Sequence, residues 1–247
     1  MINYLRAWLA RSVTFSFNPV LRDRFVADQA RLIPAGKRVL DVGAGSCPYR
    51  PLFTHCVYLT QDAKPLEGVQ LRHGAYGGID YISDATAIPV PSTSFDVVLC
   101  TEMIEHHPHP IEVVREFGRI LVSGGRLILT APLGSGIHQE PYHFYGGYTP
   151  YWYQKFLAEA GFGSIEVVTN GAGPRMFAQE SIRFAREWSP FRSGLPLALR
   201  LIWAPFWLLA LPVHALMTPV AARLLDQHDA SAKFTVGYHV TATRLPD

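Results

Sequence analysis

Cysteine is scarce in this chain of 247 residues: there are three, Cys47, Cys56 and Cys100, and no C-x-x-C spacing. An odd, scattered set argues against a disulfide framework or a cysteine-based zinc site and fits a reducing cytosol. No block of Lys or Arg occurs and the formal net charge is only +2, so no nucleic-acid partner is expected. At the N-terminus Arg6 and Arg11 interrupt the apolar residues, where a signal peptide needs an unbroken apolar stretch. Internal repeats and low-complexity tracts are also missing. What the chain does have is apolar bulk. Hydrophobic residues make up 49%, which excludes a disordered chain and suffices for one α/β core, or a core with a small appendage.

The apolar pattern alternates between strand and helix. Residues 2–33 read as one or two helices, with Ile2, Leu5, Trp8 and Leu9, then Leu21, Phe25 and Leu32, at helical spacing; Pro34 and Gly36 end them. Arg38 to Val42 reads as a short buried strand, Cys56 to Gln61 as a second and Phe95 to Cys100 as a continuous apolar third; Leu71 to Ile82 is glycine-rich and ambiguous. Pro110 to Leu121 carries Ile111, Val114, Phe117 and Leu121 on one helical face, and Gly124-Gly125 turns the chain into a strand over Arg126 to Ala131. Thr149 and Pro150 form a helix start, with a stop at Gly161 and a strand over Ser164 to Thr169. Phe234 to Arg244 alternates as an edge or antiparallel strand. This order predicts a mostly parallel sheet with helices on both faces. The implied organisation is an N-terminal helical segment at 1–36, an α/β domain at 37–171 and 233–247, and an apolar helical insert at 172–232.

The chemistry centres on Asp41-Val42-Gly43-Ala44-Gly45, at the carboxyl end of the first predicted strand. In open α/β sheets ligands bind there, and glycines let the backbone approach them closely. Asp62, about 20 residues on at the end of the second strand, suits a ribose diol.

These segments resemble class I S-adenosylmethionine-dependent methyltransferases, in particular the type 11 domain. The first motif is Val39 to Gly45. Asp84-Ala85-Thr86-Ala87-Ile88-Pro89 and Ser94 to Val98 are similar to the third-strand acidic motif and the fourth strand. Thr101 to His106 and the R-x-L-x-x-G-G stretch from Arg119 follow in order. The resemblance spans about residues 37–170 and the final strand. It implies a Rossmann-like, seven-stranded, mostly parallel sheet with an antiparallel last strand, and S-adenosyl-L-methionine as cofactor. It further implies that Gly43 and Gly45 lie under the cofactor's methionine part and ribose and that Asp41 orients its amino group. Asp62 would accept from the ribose hydroxyls, Asp84 and the Ala85 backbone would hold the adenine, and Glu102 and Met103 would lie near the sulfonium. A nicotinamide dinucleotide, the rival cofactor, would need a third glycine where Pro48 stands. Proline-rich Cys47 to Pro51 departs from the family pattern and shortens or delays the first helix.

Methyl transfer to a hydroxyl or amine is helped by a base, and the candidates are His106, His138 and His143. No metal is expected: His106-His107-Pro108-His109 lacks an accompanying carboxylate pattern. Tyr142, Tyr145, Tyr148, Tyr151, Trp152 and Tyr153 form either a lid over an acceptor or an aromatic patch packing a helix. The acceptor classes left open are a glycan, a lipid-linked molecule and a small molecule. Between Arg200 and Arg223 lie 22 residues without Asp, Glu, Lys or Arg, interrupted by Pro205, Pro212 and Pro219. A broken hairpin in a membrane interface, anchored by Trp203, Trp207, Arg200 and Arg223, is the favoured reading, with contact over residues 195–225. A buried cap and a homodimer surface are the alternatives. The expected location is the cytoplasm, peripheral at a membrane face. Two other functions stay open: a non-catalytic cofactor-binding protein of the same fold and an NAD(P)-dependent oxidoreductase.

Overall fold

The computed structural model describes residues 12–192, 194–229, 231 and 233–246. The expected helix carrying Ile2, Leu5, Trp8 and Leu9 lies outside them. The chain divides into two compact units, residues 22–168 with 237–247, and residues 1–21 with 169–236.

The larger unit is built on a seven-stranded sheet of order β3-β2-β1-β4-β5-β7-β6. Its strands are β1 (Arg38–Val42), β2 (Val57–Asp62), β3 (Tyr81–Ile82), β4 (Phe95–Thr101), β5 (Leu121–Pro132), β6 (Phe162–Thr169) and β7 (Gly237–Arg244). The pairs β1–β2, β1–β4, β2–β3 and β4–β5 are parallel; β5–β7 is antiparallel. The last strand is therefore antiparallel, but it lies inside the sheet between β5 and β6 rather than at an edge.

Period-two alternation sends each strand's apolar residues to two cores. Val39, Val97, Leu99 and Ile128 pack with Val26 and Ala30 of α1 (Phe17–Arg31). Leu40, Val42, Val98, Cys100, Leu127 and Leu129 pack with α2 (Pro110–Ile120) and α3 (Pro150–Glu159). Because apolar residues face both ways, β1 and β4 read as continuous apolar runs, the pattern of a sheet covered on both sides. The Thr149 side chain accepts from Trp152 N and Pro150 follows it, so the expected start of α3 is present.

Two local expectations change. Gly124 and Gly125 are not a turn before β5: the strand already runs from Leu121, and a register irregularity opposite Phe95–Val97 absorbs Gly124 at φ +76°. A Cβ on Gly125 would press on the Val122 and Asp96 carbonyls, so the bulged ladder itself requires glycine. After β1, the proline-rich Cys47 to Pro51 leaves a single 3-10 turn, Arg50–Phe53, where a full helix would otherwise stand.

In the smaller unit α4 (Gly173–Glu187) packs on a long helical run. That run comprises α5 (Leu197–Pro212), a π turn at Val213–Met217 and α6 (Thr218–Leu225). The expected broken hairpin does not form. A helical proline lacks its N–H and collides with the preceding turn, and the wider π turn just before Pro219 makes room for that proline without ending the helix. Trp203 Nε1 donates to Trp188 O and Trp207 Nε1 to Ala185 O, so both indoles are committed to the end of α4. Ser181 Oγ lies 2.7 Å from His214 Nδ1, and Arg175 pairs with Asp226 at 2.7 Å.

Candidate cofactor and active site

Parallel register brings the carboxyl ends of β1, β2 and β4 level: Val42 stands opposite Gln61 and Cys100. The next residues on these strands are Gly43, Asp62 and Thr101, so the glycine turn, the acid and the segment from Glu102 emerge side by side. Gly43 and Gly45 have φ of +70° and +52°, a region that residues with a Cβ rarely enter. A Cβ on Gly43 would collide with the Met103 side chain. Methionine thus covers one glycine and nothing bulkier than hydrogen fits beneath it.

Asp62 is buried and braces this turn: Oδ2 accepts from Gly45 N at 3.0 Å and Oδ1 from Lys64 N at 2.6 Å. Each carboxylate oxygen keeps a lone pair for a further donor. Burial raises its pKa, and the two backbone N–H groups oppose the rise. Asp41 is fully buried on β1. Tyr58 donates its hydroxyl to Oδ2, while Oδ1 is buried without a partner. Burial raises its pKa to about 7, against the pull of the Tyr58 hydrogen bond, and Asp62 adds to the rise. An unsatisfied buried carboxylate oxygen costs free energy unless a donor arrives. A ligand ammonium is such a donor.

Asp84 is exposed after β3. Its Oδ1 accepts from Thr86 N and Oγ1 and lies 3.1 Å from His107 Nε2. Partial burial pushes its pKa up, but the Thr86 hydrogen bonds and His107 outweigh that and hold it below the ordinary value. Ala85 beside it is buried. Glu116 of α2 fixes this loop by accepting from Ile88 N at 2.7 Å. Glu102, at φ +48°, accepts from Thr130 Oγ1 at 2.8 Å and pairs with Arg22 at 3.5 Å. It is therefore tied into the protein, and Met103 is the residue of the pair that faces the glycine turn.

The loops beyond the strands are laced together. Gln70 Nε2 donates to Glu140 O and Gln139 Nε2 to Gln70 O, while Phe144 N and Tyr145 N both reach Glu105 O. This gathers all three candidate bases, His106, His138 and His143, with ring centroids 4.5–5.6 Å apart. Burial lowers the His106 pKa to about 4, against a 2.6 Å hydrogen bond from Nδ1 to Tyr142 O, with His138 and His143 adding to the fall. Burial and His138 lower that of His143. Tyr148 and Tyr153 are buried among the aromatic residues, and Tyr148 donates to Ile104 O at 2.9 Å; these two pack α3, whereas Tyr151 is exposed. One residue missed by the sequence reading is Glu105. It is buried with both carboxylate oxygens unpartnered, and only its place beside His106 in the sequence hinted at a role.

Residues 40–129 match the family model described as "Methyltransferase domain". The matched stretch, just over a third of the chain, is similar to such domains. Over 124 residues the chain is 36% identical to a ubiquinone biosynthesis O-methyltransferase of Xanthomonas axonopodis pv. citri, covering 47% of this chain and 50% of that protein. Over 135 residues it is 34% identical to one of Hahella chejuensis, covering 51% and 53%. The chain thus spans about half the length of these curated relatives. A SAM-dependent methyltransferase from Archaeoglobus fulgidus superposes with a TM-score of 0.52 at 14% identity, covering 90% of this chain and 94% of that one. A Haemonchus contortus phosphoethanolamine N-methyltransferase 2, solved with phosphomonomethylethanolamine and S-adenosylhomocysteine, gives 0.51 at 16%, covering 91% and 53%. At such identities the likeness to these two structures is one of fold.

Proposed function

We propose that this chain is an S-adenosylmethionine-dependent methyltransferase acting on a hydroxyl-bearing acceptor that it meets at a membrane surface. The observation that carries the cofactor is the pairing of Asp62 with the Gly45 turn, next to the orphaned Oδ1 of Asp41. Those groups fit a nucleoside with an ammonium: two carboxylates for hydroxyl and amino donors, and at Gly45 a turn whose backbone is open to a ligand. A pyrophosphate would meet carboxylates instead of donors here. When bound, the cofactor supplies an electrophilic sulfonium methyl. The protein's part is to place the acceptor and exclude water. His106 is neutral at pH 7 and offers a lone pair, although a pKa of about 4 makes it a weak base by itself.

The hydroxyl acceptor is supported by the O-methyltransferase relatives, and the membrane by the long helical run. Leu197–His228 is 32 residues long, and its apolar 18-residue window has a mean hydropathy of 1.6 and no buried residue. At 1.5 Å per residue it extends about 48 Å. Leu201, Phe206 and Leu209 are 69%, 62% and 78% exposed. No acid occurs from Trp188 to Leu225, whereas Arg192, Arg200 and Arg223 do, a charge pattern complementary to anionic lipid headgroups.

The test is transfer of a labelled methyl group from S-adenosylmethionine into lipid extracts, phenolic small molecules and sugar nucleotides. Label in a lipid-soluble hydroxyl compound is the expected result. Transfer only to water-soluble acceptors would remove the membrane part, and no transfer despite cofactor binding would favour a non-catalytic binding protein.

A further inference from the structure

The weakness of His106 as a base leads to its neighbours. His106 Nδ1 is 2.6 Å from Tyr142 O and His138 Nδ1 is 2.9 Å from Gly136 O. A carbonyl only accepts, so both Nδ1 atoms carry the proton, and in the neutral rings both Nε2 atoms are bare lone pairs. Two histidines with Nδ1–H held by backbone carbonyls have the outer-shell arrangement typical of metal ligands. Close to both is Glu105, which is 1% exposed and whose two carboxylate oxygens have no hydrogen-bond partner. Glu105 Oε1 is 3.8 Å from His106 Nε2, and ligand atoms of Glu105, His106 and His138 all lie within 4.8 Å of one another.

We propose that Glu105, His106 and His138 form a divalent transition-metal site that binds the acceptor oxygen. Nitrogen–nitrogen–oxygen donation suits zinc, cobalt, manganese or iron over magnesium or calcium. Three protein ligands leave a position open, as in catalytic zinc sites. Ligands bound at about 2.0–2.2 Å from an ion lie closer together than they do here, and His138, exposed on the loop after β5, is the member free to close in. An acceptor hydroxyl in the open position becomes more acidic and releases its proton to solvent, which gives an oxyanion without a strong protein base. This role rests on the methyltransferase reading; the metal site does not.

The test is a titration of the full chain, stripped with chelator and free of cofactor, with Zn²⁺ by calorimetry and Co²⁺ by visible absorption. The expected result is one ion per chain and cobalt d–d bands of low coordination number. His138→Ala and Glu105→Gln should each weaken binding at least about ten-fold, while His109→Ala should leave it unchanged. His138 is a loop surface residue, so its variant reports on the site even if the buried Glu105 variant does not fold. Absence of a stoichiometric ion, or affinity unaltered by His138→Ala, overturns the proposal. S-adenosylhomocysteine titrated into the same metal-free protein shows separately whether the cofactor reading stands.

Discussion

Asp41→Asn should stabilise the fold while damaging its function. The Asp41 carboxyl lies in the sheet with its pKa raised from 3.8 to about 7, chiefly by burial. A carboxyl whose folded pKa is raised favours the folded state while it is protonated. That stability is fully present below about pH 4 and is lost as pH rises through about 7. Three units at 1.36 kcal/mol each set an upper bound of about 4 kcal/mol on what ionisation removes. Asparagine is always neutral and can still accept from the Tyr58 hydroxyl. Urea unfolding of parent and variant at pH 5 and pH 8 isolates this effect, because the other titrating groups cancel in the difference. The advantage of Asp41→Asn should grow by about 2–3 kcal/mol between those pH values. Cofactor affinity should move the other way, since the ammonium loses its carboxylate. A difference that does not vary with pH, or a variant less stable than the parent at pH 8, would refute the reasoning.

Gly43→Val puts a β-branched side chain at φ +70° and against Met103. It should cost at least about 2 kcal/mol in unfolding free energy and abolish cofactor binding; denaturation and calorimetry check both. Phe206→Asp combined with Leu209→Asp removes two exposed apolar side chains from the long helix. Partitioning to anionic vesicles should fall about 100-fold, from roughly 3 kcal/mol of lost burial, with thermal stability unchanged. Equal flotation of parent and double variant would exclude membrane contact through this face.

Much of the sheet was legible because burial on both faces writes itself as unbroken apolar runs. Arg38 to Val42 is observed with the expected bounds, and Asp62 ends β2, the position that suits a ribose-binding acid. Other features depend on contacts that local pattern does not encode. Gly124-Gly125 looks like a turn, but the bulge that needs it is set by the partner strand β4. Pro219 looks like a helix breaker, yet the π turn just before it makes room for it. Glu105 and His138 are far apart in sequence and come together because β4 and β5 are neighbours and the loop after β5 is held to His106 through the Tyr142 carbonyl. Glu102 carried the family pattern, but Arg22, from a helix outside the motifs, claims its carboxylate.

The central claim is a sulfonium-nucleoside site braced by Asp62, and calorimetry with S-adenosylhomocysteine on the parent and on Asp62→Ala tests it most directly. Losing two charge-assisted hydrogen bonds, at about 1.5 kcal/mol or more each, predicts a fall in affinity of at least about 100-fold from a parent that binds S-adenosylhomocysteine and not NAD. Equal affinity in the two proteins, or a parent that takes NAD instead, would contradict the account.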